Sequence, residues 1–353
     1  MPSSKPNTVI IVTPGFPKDE QDTTCLPAFQ QFALALKQNF SELTFVLISL
    51  QYPFKKGWYM WNGIAVHAIG GKNKKHIFGL NTKRLAMQKL NELKEIYTIK
   101  GLISLWCIDT ALVANKFALR NNFKHLIWII GQDAKPTNGF VKKIKPKPEQ
   151  LIAMSDFLQE EFKKNHQIEP QHVITNGINP KMFEPLNVRE RSIDILGAGS
   201  LIPLKNYNLF IEVIAEVVKQ YPSLTVNIAG DGPEKNSLID LIIQYKLQNN
   251  IELIGVKTHL ETLSLMNQSK LFLHTSHYEG NSTVLMEALY SGCRVISTQK
   301  LSNDSVKNLH VKSIKTDLVN CILELLSKKN EPERVTFNTM DDSAKKIMQL
   351  LLS

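Results

Sequence analysis

The stretch IDILGAGSLIPLKNYNLFIEVIAEVVKQYPSLTVNIAG, Ile193 to Gly230, reads as strand, loop, helix and strand in succession. Ile193–Gly197 predicts the first strand. From Asn206 to Gln220 the residues Phe210, Val213, Ile214, Val217 and Val218 recur at three- and four-residue spacing, the period of a helix with one apolar face, and Asn206 stands where a cap belongs. Thr225–Ala229 predicts the second strand. The unit continues downstream: helix Ser237–Leu247, strand Ile251–Ile254, helix Leu260–Gln268, strand Leu271–His274, helix Thr283–Ser291 and strand Arg294–Ser297. Five strands joined by four crossovers make a doubly wound parallel sheet.

Upstream the same alternation predicts a second sheet of this kind. Its expected strands are Val9–Val12, Thr44–Leu50, Ala65–Ile69, Gly101–Leu105, Leu126–Ile130 and Leu151–Met154, with helices at Pro27–Gln38, Thr82–Tyr97 and Thr110–Arg120. Lys135–Lys147 carries five lysines and reads as a solvated loop. Asn187–Ser192, rich in charge, reads as a linker, and a last helix is expected at Ser343–Leu352. The chain is 353 residues long, which fits two domains. The expected division is 1–188, 189–335 and a terminal segment 336–353.

The composition, 43% hydrophobic and 21% charged, excludes a disordered chain. The net charge of +10 suits an anionic partner: nucleotide phosphates, an acidic membrane surface or nucleic acid. Nucleic acid is disfavoured, because no run interleaves stacking aromatics with Lys and Arg. Cys25, Cys107, Cys293 and Cys321 are scattered, with neither a Cys-x-x-Cys nor a metal-ligand spacing, which points to reduced thiols in a reducing compartment. The apolar run Val9–Val12 is too short for a signal peptide, and no stretch approaches the ~18 apolar residues of a membrane span. A cytoplasmic protein is expected, with at most peripheral contact to a membrane. Two basic stretches, PFKKGWYMW (Pro53–Trp61), which also carries aromatics, and GKNKKH (Gly71–His76), would suit anionic lipid.

Doubly wound sheets bind ligands beyond the carboxyl ends of their strands. In the C-terminal half those loops are AGSLIPLK (Ala198–Lys205), GDGPE (Gly230–Glu234), Gly255–Lys257 and SHYEGNS (Ser276–Ser282). Any one could owe its glycine to a tight turn, but four on one rim point to a site. Lys205 can reach a phosphate there, and the helix beginning at Thr283 turns its positive dipole end to the same rim. Glu279 and Glu287 bracket that helix start. Eight residues of continuous helix would separate them by roughly 12 Å of rise, more than the ~5–9.5 Å of a glycosidase pair. They suit two ends of one extended ligand better. No Asp-x-Asp occurs, so no metal is expected, and Lys205 with the helix terminus would stabilise a leaving phosphate.

These residues resemble retaining glycosyltransferases of the GT-B fold, glycosyltransferase family 4. The carriers are GAGSLIPLKN, GDGPE, IELIG and above all EGNSTVLMEALYSGCRVIST, with Glu279 and Glu287 as that family's paired glutamates. TPGFP, GQDAK, AMSDFLQEEF and TNGINPKMF are weaker matches upstream. The resemblance implies two Rossmann-like domains facing across a cleft, with the terminal helix crossing back to the first. It implies Lys205 and Gly15 near the donor pyrophosphate, with Gly199, Ser200 and Gly230 in the loops around it. Glu279 and the backbone of Gly280, Asn281 and Ser282 would hold the sugar. Thr283 and Val284 would meet the phosphates, Glu287 the ribose, and Gly255 and Val256 the base. The implied activity is retaining, metal-independent transfer from a nucleotide-sugar to a glycan or lipid-linked acceptor, in cell-surface polysaccharide or glycolipid synthesis. An epimerase or a non-catalytic nucleotide-sugar-binding protein on the same scaffold is the alternative. Two positions depart from the pattern. Ser200 stands where many members have Arg, and LISLWCID lacks their N-domain His, leaving Trp106, Cys107 or Asp109 to line that place.

Overall fold

The computed structural model describes residues 5–74, 77–184, 186, 190–301, 305–328 and 333–353. Residues 75 and 76 of the basic stretch and 187–189 of the expected linker lie outside the described residues. The chain divides into two compact units, Met1–Gly177 with Asn338–Ser353, and Ile178–Phe337.

The N-terminal unit runs β1 (Asn7–Gly15), α1 (Pro27–Asn39), β2 (Thr44–Tyr52), β3 (Gly57–Trp61), β4 (Ile64–Ala68), α2 (Ile77–Ile96), β5 (Thr98–Leu105), α3 (Asp109–Asn121), β6 (His125–Ile129), α4 (Phe140–Ile144), β7 (Leu151–Ala153), α5 (Asp156–His166) and β8 (His172–Val173). Its sheet has the order β3-β4-β2-β1-β5-β6-β7-β8, parallel except for the β3–β4 hairpin. Val9, Ile10, Ile11 and Val12 are all buried, as a central strand covered on both faces requires.

The C-terminal unit runs β9 (Ile193–Ala198), α6 (Tyr207–Val217), β10 (Val226–Ala229), α7 (Lys235–Gln244), β11 (Ile251–Gly255), α8 (His259–Asn267), β12 (Ser269–His274), α9 (Thr283–Tyr290), β13 (Arg294–Ser297), β14 (Leu309–Val311) and α10 (Lys315–Leu326). Alternate residues serve opposite faces. Ile195, Leu271, Leu273 and Ile296 pack with Phe210, Ile214 and Ile322 on one side of the sheet. Leu196, Phe272 and Val295 pack with Leu263, Leu285 and Leu289 on the other. The last helix, α11 (Met340–Leu352), belongs to the N-terminal unit.

Four readings of the sequence need correction. The C-terminal sheet has a sixth strand, β14, three residues long and carried by pairing with β13. PFKKGWYMW contains the strand β3. Lys135–Lys147 is not all loop: Val141 and Ile144, three residues apart, turn into the core and make α4 a buried turn of helix among solvated lysines. Asn206 makes no side-chain cap bond; it sits in the left-handed region at φ 52°, turning the chain from a short 3₁₀ segment into α6.

Candidate functional site

The C-terminal sheet runs β11-β10-β9-β12-β13-β14, so chain order reverses between β9 and β12. Loops leaving these two strands diverge to opposite faces and open a crevice at their carboxyl ends. Lys205 closes the first loop and Glu279 stands in the second. Lys205 Nζ lies 2.6 Å from Glu279 Oε1, with both side chains mostly buried. Residues 74 positions apart in sequence therefore form one charged pair at the reversal point.

All four rim loops are joined in series. Thr275 Oγ1 donates to the carbonyls of Lys205 and Asn206, and the His277 N–H donates to Leu204 O. Leu201 N–H donates to Asp231 O, and Glu234 N–H returns a bond to Leu201 O. Gly230 N–H donates to Gly255 O, bringing in the third loop. Gly230 has φ 151° and is packed so closely that a Cβ there would stand 1.9 Å from Gly199 O. The glycines of the first two loops thus serve loop-to-loop contact as well as turning. Ser200 and Val256 are exposed on this rim.

Two histidines complete the arrangement, and neither was singled out from the sequence. His274 ends β12 on the face it shares with Phe272, in register with Ser297 of β13. Its Nδ1 is 3.0 Å from Ser297 Oγ, and its Nε2 is 3.2 Å from Glu279 Oε1 and 3.0 Å from Ser276 Oγ. Burial pushes the imidazole below its usual range, so it is neutral. A neutral ring facing a carboxylate carries its proton on Nε2, which leaves Nδ1 to accept from the Ser297 hydroxyl. Burial alone would push the Glu279 carboxyl up. The His274 hydrogen bond and the Lys205 ammonium outweigh it and hold the group down at about 2.

His259 opens α8 behind a capping box made by Thr258 and Glu261. Its Nε2 lies 2.7 Å from Glu287 Oε1 on α9. Burial disfavours its charge, yet the Glu287 carboxylate wins and raises its pKa. Glu287 is thereby fixed one turn into α9, on the side of the β11 loop. The signal that could have found His259 was Thr-x-x-Glu; for His274 it was a polar residue closing an apolar strand on its inward face.

Gly15 belongs to the other unit, where it closes β1 beside Tyr52 and Cys25. In that unit's rim Cys107 is fully buried and its N–H donates to Asp133, so it lines no open surface. Asp109 is held by Gln51 at 2.9 Å, and Trp106 takes φ 65°.

Residues 179–342 match the model of the family described as Glycosyl transferases group 1. The phosphatidylinositol N-acetylglucosaminyltransferase gpi3 subunit of Schizosaccharomyces pombe is 28% identical over 216 residues, covering 60% of this chain and 47% of that protein. The chain thus spans about half the length of that curated relative. Sucrose-phosphate synthase from Thermosynechococcus elongatus superposes with a TM-score of 0.67 at 16% identity, over 99% of this chain and 95% of that one. Anabaena Alr3699/HepE, solved with UDP and glucose, gives 0.65 at 15% identity, over 98% and 97%. The fold is GT-B, with two Rossmann-like units.

Proposed function

We propose, from the premise that residues 179–342 are a glycosyl transferases group 1 domain, that the protein moves a sugar from a nucleotide-sugar to a hydroxyl acceptor. One observation carries the reading: Lys205 and Glu279 meet at the strand-order reversal, 2.6 Å apart, beside the N-terminus of α9. A cation and a helix terminus at one point suit a diphosphate. A carboxylate held ionised next to them suits the hydroxyls of the sugar that the diphosphate carries. Glu287, anchored by His259, stands ready for a second diol such as a ribose.

In the proposed chemistry the acceptor oxygen bonds to the anomeric carbon as the carbon–phosphate-oxygen bond breaks on the same face. The acceptor proton passes to the departing phosphate, and the anomeric configuration is retained. Lys205 turns from Glu279 to the phosphate, and with the α9 terminus it stabilises the growing negative charge. No step calls for a metal. The relative's printed name and the UDP–glucose complex suggest UDP-N-acetylglucosamine and UDP-glucose as the first donors to try. A glycan or lipid-linked hydroxyl is the acceptor class.

The test follows nucleotide release from a panel of nucleotide-sugars with glycan and lipid-linked acceptors. Lys205→Ala and Glu279→Gln should each lower turnover by about 100-fold or more. Sugar altered with no acceptor present would favour an epimerase. Donor binding without turnover on any acceptor would overturn transfer in favour of a binding protein.

A further inference from the structure

From Leu43 to Asn91 the chain carries eight Lys and Arg residues and no Asp or Glu. This run builds one side of the N-terminal unit: β3, β4, the bends before and after them, and the first turns of α2. Among the described residues β3 pairs only with β4, so its other edge is open. Alternation decides what that strand shows to solvent. Tyr59 and Trp61 turn inward, Tyr59 donating its hydroxyl to Pro17 O and Trp61 packing edge-on against Phe16 at 4.9 Å. Trp58 and Met60 are therefore turned outward, 69% and 53% exposed. Phe54 in the preceding bend is 52% exposed, and Leu80 on α2 is 64% exposed.

The cations lie among these apolar groups. Lys55 and Lys56 separate Phe54 from Trp58 and are exposed. Gly70 is pressed against them, for a Cβ there would stand 2.9 Å from Lys56 N. The turn that follows Gly70, with Lys72 and Lys74, is thus held beside the same bend. Acids stand near this side as well, each with a partner: Asp22 accepts from the hydroxyl of Tyr52, whose ring packs on Phe54, Glu20 accepts the Asn62 N–H at the far turn of the hairpin, and Glu92 pairs with Lys89.

Edge strands of soluble proteins are ordinarily guarded by charge or proline. Here the guard is inverted, with a tryptophan and a methionine outermost and lysines flanking them. That pairing of apolar tip and cationic collar matches the boundary of an anionic bilayer, where Trp settles at headgroup level and Lys meets phosphate. We propose that this edge of the N-terminal unit docks on an anionic membrane surface. Phe54, Trp58 and Met60 enter the headgroup layer, and Lys55, Lys56, Lys72 and Lys74 face the lipid charges. The contact proposed is peripheral, made by side chains of a strand and its flanking bends; no described helix is long and apolar enough to cross a membrane. It stands apart from sugar transfer, and either reading can fail without the other.

The test is sedimentation of the full chain with vesicles of phosphatidylcholine, alone or mixed with phosphatidylserine. Binding should need phosphatidylserine and weaken with added salt. Lys55→Glu with Lys56→Glu should lower it by roughly tenfold or more. Trp58→Ser with Met60→Ser should also release the protein, while circular dichroism and nucleotide binding stay as in the parent. No dependence on phosphatidylserine, or equal binding by both variants, would overturn the proposal. So would self-association through β3 without vesicles that Trp58→Ser abolishes, because the edge would then serve a protein strand.

Discussion

His274 acts on Glu279 from within the sheet, so its effect should appear in a pH profile and not only in stability. The ring donates from Nε2 to the carboxylate and is itself held by Ser297. A carboxyl whose folded pKa is depressed adds stability above its usual 4.5 and loses it as pH falls towards about 2. Activity that needs ionised Glu279 should therefore be flat across that window in the parent protein. His274→Leu removes the donor, and the acid limb of kcat/KM should climb towards 4.5. His274→Gln, which keeps an N–H, should restore part of the original profile. An unchanged acid limb in His274→Leu would show that the histidine only packs. Lys205 and Glu279 could be singled out in the sequence because charged residues beside glycines on one rim are conspicuous. His274 could not, because one histidine closing an apolar run looks like ordinary core until Ser297 and Glu279 are seen beside it.

Elements decide how firmly those residues are held. The four rim loops form one hydrogen-bonded series, and Gly230 is its tightest joint, with Gly199 O where a side chain would begin. Gly230→Ala must move backbone against backbone in a region that L-residues avoid, at a cost of about 2–3 kcal/mol. For a unit of this size that is a fall in Tm of roughly 5–10 °C, read by calorimetry without ligand. Gly255→Ala offers a contrast. Its φ of 73° is strained too, but nothing lies within 4 Å of the added carbon, so the loss should be smaller. Equal losses would mean that backbone strain, not the loop contact, governs the rim. Most of the long periodic helices and the central strands were legible in the sequence because burial writes itself as spacing, although α5 and α10, of 11 and 12 residues, were passed over. β3, β14 and α4 were not legible. Each is five residues or fewer, too short for a period to stand out, and each is fixed by a neighbour: β3 by β4, β14 by β13, α4 by the core beneath it.

For the whole molecule the chain order matters most, because the last helix completes the first unit. Met340, Ala344, Ile347, Met348 and Leu351 of α11 are buried, and Leu351 covers Gly101 so closely that a Cβ there would meet it at 2.7 Å. Ser343 Oγ donates to Thr175 O at 2.7 Å, and Asn39 Nδ2 donates to Asp341 Oδ1 at 2.8 Å. Gly177 lies against the backbone of Thr339, so the chain leaves this unit and re-enters it at neighbouring points. The four large apolar side chains of α11, Met340, Ile347, Met348 and Leu351, at about 1.5–3 kcal/mol each, are comparable with the ~5–15 kcal/mol that holds a whole domain together. Truncation after Phe337 should therefore melt or aggregate the N-terminal unit and leave the C-terminal unit folded. Calorimetry of the truncated chain should show the transition of the C-terminal unit alone, which on the proposed function is still raised by UDP through mass action. Two intact transitions would mean that α11 is an ornament of the first unit. Loss of the UDP response together with the helix would mean that the rim of the second unit depends on the first.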